Sequence, residues 1–404
     1  MSSAGLRPSS RRTVLALAVG HATADLCGGA IFALLPFLVV ERHYSYAAAG
    51  VFALTASVAN ALVQPIAGAH GDRGEAPWLL AGGLVLAGLG IAAVGWVSSY
   101  GVTLVAVALC LIGVGVYHPE GARWARHAAG GNITADMSIF SVGGGAGYAL
   151  GPLAVAAVLA PLGLAGTPVI ALVPLAGALF VTFALRRFRA VPVAEPQEHQ
   201  RATSRRSEWR PFATLALLYS LAAGVTIGML TYLPLFLVTA RGTTPAASNV
   251  MTSILLAAAA AGTLLGGVAA HKFGRRVVLV VPQIALIPAI ALLPSLGYGA
   301  MIPLVVVVGM AGNANVSVAL VLAQEYLPAR MGFATGVTIG LCGGVGGLIV
   351  AALGPLGDAA GPSAVLYVLA ALPVAVALLS LALPRPAAAP AGIRWSLRST
   401  VRAR

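Results

Sequence analysis

Two short constellations early in the chain carry most of its capacity for chemistry. His21 and Asp25 stand four residues apart inside an apolar run, which on a helix puts them on one face, one turn apart. An imidazole and a carboxylate so placed can take up, share and relay a proton. The plainer alternative is a hydrogen bond that fixes helix packing. Further on come His118-Pro119-Glu120 and, three residues later, Arg123. Pro119 interrupts the helical ladder and can free a carbonyl toward a cavity, and Arg123 falls beside Glu120 on the same face. One reading is a second protonatable carboxylate next to a guanidinium whose planar fork suits an anion such as a phosphonate. The other is an internal ion pair.

Weaker candidates surround these. Asn60 and Gln64, one turn apart, can line a cavity, as can Asn313 in a later apolar run. Glu325 is expected to pair with Arg330 at the membrane surface, and Arg126 reads as a topology or gating charge. His21, Asp25, His118 and Glu120 would together suit zinc in a membrane-embedded hydrolase. That remote alternative lacks a His-Glu-x-x-His helix motif, so neither a metal, a cofactor nor an enzymatic role is expected. No Gly-x-x-x-x-Gly-Lys-Ser/Thr run is present for a nucleotide-driven pump.

The elements that must hold these residues follow from composition. Of 404 residues, 59% are hydrophobic and 9% charged, with a mean hydropathy of +0.93; soluble domains carry about 25% charged residues. Only a bilayer can take up so much apolar surface. A helix needs about 20 apolar residues to cross it, and runs of that kind fall near 13–40, 47–69, 77–98, 101–127, 136–160 and 166–186. They resume near 211–239, 246–270, 277–296, 300–324, 332–355 and 363–383. Ser10-Arg11-Arg12 has the look of a twin-arginine signal, but the apolar run continues to Val40, so 13–40 is read as the first span. The expected fold class is an all-α polytopic membrane protein of twelve transmembrane helices in two pseudo-symmetric six-helix bundles. The domains are then 1–186, a cytoplasmic linker 187–210, a second bundle 211–384 and a basic tail 385–404.

Charge sets the orientation. With both termini cytoplasmic, only Arg42 and Arg241 of the 24 Lys and Arg fall outside, as the positive-inside rule requires. The net charge of +13 is therefore a topology signal that also meets anionic lipid, and no nucleic-acid partner is implied. An internal repeat supports the two halves. Gly68-x-x-x-Asp72-Arg73 after the second span is echoed by Gly267-x-x-x-His271-Lys272 after the eighth. Gly143-Gly144-x-x-Gly147 in the fifth is echoed by Gly343-Gly344-x-x-Gly347 in the eleventh.

These motifs resemble the major facilitator superfamily. Gly68, Asp72 and Arg73 match its loop motif after the second span, although Glu75 and Ala76 depart from the usual ending. Gly147-x-x-x-Gly151-Pro152 is similar to the glycine–proline motif of its drug:proton antiporters, where such glycines shape the interface between the halves. Within the superfamily, the run from Tyr117 to Gly131 resembles the fosmidomycin-resistance efflux family, as do His21-x-x-x-Asp25, Gln64-Pro65 and Leu327-Pro328 followed by Gly332, Gly336 and Gly340. Ala24, Ser141 and Gly145 depart from that pattern where longer polar side chains are usual.

The resemblance implies alternating access driven by protons and export of a small, anionic drug or metabolite such as a fosmidomycin-like phosphonate. Asp25, Glu120 and His21 are the expected proton-coupling groups. Arg123, His118, Asn60, Gln64, Ser141 and Asn313 are the expected substrate contacts, with Gly68, Asp72, Arg73 and Arg126 in gating. An uptake symporter for an organic acid or sugar is the alternative. The expected setting is a bacterial inner membrane and the expected state a monomer.

Overall fold

The computed structural model describes residues 11–71, 76–129, 133–188 and 207–384. In lipid every backbone N–H and C=O must find an internal partner, and the long Ala-, Leu-, Val- and Gly-rich runs meet that demand as helices. Six come first: α1 (Arg11–Arg42), α2 (Tyr46–Gly71), α3 (Trp78–Trp96), α4 (Tyr100–Ala128), α5 (Ile133–Leu162) and α6 (Thr167–Phe188). Six follow the linker: α7 (Trp209–Arg241), α8 (Pro245–Phe273), α9 (Arg275–Leu292), α10 (Tyr298–Tyr326), α11 (Pro328–Ala360) and α12 (Pro362–Ala382). Only the short 3-10 turn Gly163–Gly166 separates α5 from α6. Glycines in the left-handed region, Gly242 at φ 66° and Gly361 at φ 80°, end α7 and α11.

Three of the helices are interrupted. α1 turns at Leu34, just before Pro36; α10 breaks at Ala314 and Asn315; α11 carries a π-turn over Val337–Leu341. Within each half one helix is enclosed most fully, α1 in the first and α7 in the second. Between the halves, α2 packs on α11 and α5 on α8.

The repeated glycines do different work in the two halves. A β-carbon at Gly143, Gly147 or Gly151 would run into the backbone of α1 at Ala18, Ala22 and Leu26–Ala30 respectively. This four-residue stripe lets α1 and α5 meet closely. The expectation that Gly147 and Gly151 shape the interface between halves is therefore corrected: they lie inside the first half, and it is Gly145 that faces Ala260 of α8. In α11, by contrast, Gly347 and Gly354 do face the other half, against Ser57 and Ala47 of α2.

Hydrogen bonds between the halves gather at the end remote from the linker. Both oxygens of Asp358, near the end of α11, accept backbone amides at the start of α2, from Tyr46 at 2.7 Å and Ala47 at 3.0 Å. The hydroxyls of Tyr46 and Thr239 meet at 2.5 Å, and Asn249 of α8 donates to the carbonyl of Ala33, where α1 is interrupted. At the linker end Glu325 pairs with Arg275, through bonds of 2.5 and 2.8 Å, and not with Arg330 as expected. The reason is that α9 begins directly beside the end of α10.

Candidate functional site

A cavity of about 300 Å³ lies between the halves. Asp25, Ser57, Asn60, His118 and Tyr148 give its wall in the first half polar character, while the second half contributes Ile227, Ile339, Gly340 and Gly343. The π-turn of α11 thus forms part of the wall, and such turns are frequent at functional sites. Among the described residues no Arg or Lys lines this cavity.

Asp25 is the centre of a three-residue cluster. His118 of α4 donates from Nε2 to Asp25 Oδ1 at 2.7 Å. His21, one turn before Asp25, brings its own Nε2 to 3.3 Å from Oδ2. The other nitrogen of His21 is tied to α5: Nδ1 lies 2.9 Å from the carbonyl of Phe140, and the two rings stack with centroids 4.2 Å apart. A carbonyl can only accept, so Nδ1 carries hydrogen. Nε2 then faces a carboxylate oxygen, and the pair attracts only if a proton sits between them. The cluster is built to hold one. All three side chains keep slight exposure, 13% for His21, 16% for Asp25 and 27% for His118.

Gly144 of α5 supplies the room. A β-carbon there would stand 2.6 Å from both Asp25 Oδ2 and His21 Nε2, closer than any real contact of that kind. The close α1–α5 packing set by Gly143, Gly147 and Gly151 brings this bare stretch of α5 against the cluster.

Glu120 has a different setting. It is 1% exposed, and its Oε1 accepts from Arg123 Nη2 at 2.6 Å and from Trp124 Nε1 at 2.8 Å; its Oε2 accepts from Arg123 Nε at 3.2 Å. The site is a bidentate ion pair with an indole as third partner. Neither Glu120 nor Arg123 lines the central cavity.

The sequence profile of the Major Facilitator Superfamily matches residues 17–351. The chain belongs to the major facilitator superfamily. It is 30% identical over 387 residues to the Fosmidomycin resistance protein of Escherichia coli strain K12, an alignment covering 91% of this chain and 92% of that protein. It is 28% identical to the uncharacterized MFS-type transporter YfnC of Bacillus subtilis strain 168, over 92% of both. Two solved structures share its fold. A bacterial homologue of the human lysosomal transporter Spinster, inward-facing and occupied, gives a TM-score of 0.76 at 17% identity, over 94% of this chain and 97% of that one. The nucleoside transporter NupG gives 0.72 at 15%, over 92% and 98%. The molecule is a multi-pass membrane transporter.

The structure brings only part of the predicted set to the superfamily's central cavity. Asp25, His118 and Asn60 line it, and His21 touches it through Asp25. Gln64 reaches it only through Asn60, donating to Oδ1 at 3.3 Å. Ser141 is exposed on α5 and apart from the cavity. Asn313 lines a separate pocket of about 20 Å³ inside the second half, with Thr226 and Met229, space for a single water. Arg126 is exposed at the linker end of α4, and Gly68 of α2 packs toward Pro119. Asp72 and Arg73 lie outside the described residues.

The ligating atoms of His21, Asp25 and His118 lie within 4.8 Å of one another, so among the described residues these three could close on a divalent ion. Glu120, the fourth member of the metal set weighed from sequence, is held elsewhere by Arg123 and Trp124. A metal would also have to displace the His118–Asp25 hydrogen bond.

Sequence reasoning missed the contributions of Phe140, Gly144, Tyr148, Ser57 and Trp124. Spacing gave a signal for some. Trp124 follows Glu120 by four residues, and Phe140, Gly144 and Tyr148 recur every fourth residue along one face of α5.

Proposed function

We propose that the chain is a proton-coupled exporter working by alternating access, with Asp25, His21 and His118 as its proton site. The observation that carries this reading is the position of His21, fixed by the Phe140 carbonyl so that its free nitrogen and Asp25 need a proton between them at the wall of the central cavity. A group at this wall meets both proton and substrate, and differential affinity of two states for each ligand is what couples transport to a gradient. Glu120, whose oxygens are all engaged, serves in this reading to hold α4 together.

The substrate is a small molecule with a polar end for the first half and an apolar remainder for Ile227 and Ile339. The name of the Escherichia coli relative supports a phosphonate of the fosmidomycin kind. Arg123 is occupied by Glu120, so the anion would be met by the imidazoles of His118 and His21. Exchange, as opposed to co-transport, requires substrate and proton to compete. A substrate hydroxyl donating to Asp25 would do that, whereas an anion attracted only to protonated imidazoles would enter together with protons.

The linker end is cytoplasmic in this reading, on the distribution of Lys and Arg, and the membrane is a bacterial inner membrane. Everted membrane vesicles energised with a proton gradient test the direction. They should accumulate phosphonate if the protein exports; accumulation only in right-side-out vesicles assigns uptake.

A further inference from the structure

The first half carries a second hollow, of about 420 Å³, between the linker ends of α3, α4 and α6. Trp78 and Ala81 of α3, Trp124 of α4, and Thr182 and Leu185 of α6 form its walls, and Arg186 is the one charged residue among the described residues that lines it. Two of its other polar groups are already engaged. Trp124 turns its N–H inward to Glu120 at 2.8 Å, offering carbon to the hollow, and the Thr182 hydroxyl donates to the carbonyl of Ala178 at 2.7 Å. Among the described residues no acceptor is bonded to the exposed Arg186.

The outer face of α6 tells what would fill such a site. Leu179, Phe183 and Arg186 follow at helical spacing on one face, a track of about 10 Å. Leu179 is 75% and Phe183 66% exposed, as on a surface that meets lipid tails. An apolar track that ends in a guanidinium unpaired among the described residues, next to a hollow walled by two indoles, matches a phospholipid in order of parts: tail, glycerol, phosphate. Trp residues favour the headgroup level, basic pockets between transmembrane helices receive anionic headgroups, and a guanidinium can grip phosphate through two bonds. Among the described residues no Asp or Glu lines the hollow to receive the amine of a zwitterionic lipid.

We propose that this hollow binds one anionic phospholipid, with its phosphate on Arg186 and its glycerol and upper acyl chain against Trp78 and Trp124. The site is independent of the transport reading, since it lies apart from the central cavity. Trp124 joins it to the Glu120–Arg123 pair, so the lipid braces the linker end of α4.

The test uses the full chain, delipidated in detergent, with native mass spectrometry for stoichiometry and thermal unfolding for affinity. Phosphatidylglycerol, phosphatidylcholine and inorganic phosphate are the three probes. One phosphatidylglycerol should be retained per chain and should raise the unfolding midpoint, while the other two leave it unchanged. Arg186→Ala should weaken that binding at least about fivefold, Trp78→Ala should weaken it too, and Arg210→Ala, a cation at the linker end of α7, should not. Equal protection by phosphatidylcholine or inorganic phosphate overturns the proposal. So does undiminished binding in Arg186→Ala, or an equal loss in Arg210→Ala.

Discussion

His21 points Nδ1 at the carbonyl of Phe140, 2.9 Å away, and this one bond decides what its other nitrogen can do. With the hydrogen committed to a main-chain acceptor that no substitution removes, Nε2 is left bare toward Asp25 unless a proton is supplied. His118 lacks such an anchor among the described hydrogen bonds and donates to the same carboxylate from across the α1–α4 contact. The two imidazoles are therefore not equivalent. His21→Ala should leave Asp25 with one partner and reduce pH-driven transport by about tenfold, the scale of one hydrogen bond to a charged group. Proteoliposomes with an imposed pH gradient measure this, and full activity in the variant would separate His21 from coupling.

Gly144 and its neighbour make a controlled comparison. Gly144→Ala sets a methyl 2.6 Å from Asp25 Oδ2, whereas Gly145→Ala meets only Ala260 Cβ at 3.4 Å. The first should cost more than tenfold in transport and the second little, at equal expression. Comparable losses in both would show that the effect is general helix packing.

With both oxygens engaged, Glu120 is read under the proposed function as a structural anion. Glu120→Gln removes the charge that a bidentate guanidinium and an indole both address. Breaking one partner of such a buried pair costs about 3–5 kcal/mol, with the upper part discounted because Arg123 keeps 23% exposure. A clear fall in the thermal midpoint is expected. The pH profile of the remaining folded transporter should match the wild type; a shifted profile would return Glu120 to the proton pathway.

Asp358 caps a helix that belongs to the other half. Its two oxygens take the free amides of Tyr46 and Ala47 at the start of α2, and losing a cap of this kind costs about 0.5–2 kcal/mol. Asp358→Ala should therefore shift the balance of states several-fold toward separation at this end. Pulsed electron-electron distances between labels on the α1–α2 and α11–α12 turns report that population directly.

Much of the architecture was legible because a bilayer enforces helices. The twelve spans read from apolar runs agree with α1–α12 to within a few residues at most ends. The i, i+4 pair of His21 and Asp25 was legible for the same reason, being local in sequence. What spacing could not supply was rotation between helices. Gly145 and Gly144 differ by one residue, yet one faces Ala260 of the other half and the other faces Asp25. Likewise His118 and Glu120 are two residues apart and point to different environments, the cavity and the ion pair with Arg123. Contacts such as His118–Asp25, 93 residues apart, depend on how the helices turn toward each other, which no single-helix pattern encodes.

The measurement that bears most directly on proton coupling is transport by Asp25→Asn in sealed proteoliposomes under an imposed pH gradient. The side chain keeps its size and can still accept from His118, so folding and the thermal midpoint should hold. Gradient-driven accumulation of substrate should be abolished. Accumulation at the wild-type rate, with the same dependence on pH, would contradict proton coupling at Asp25.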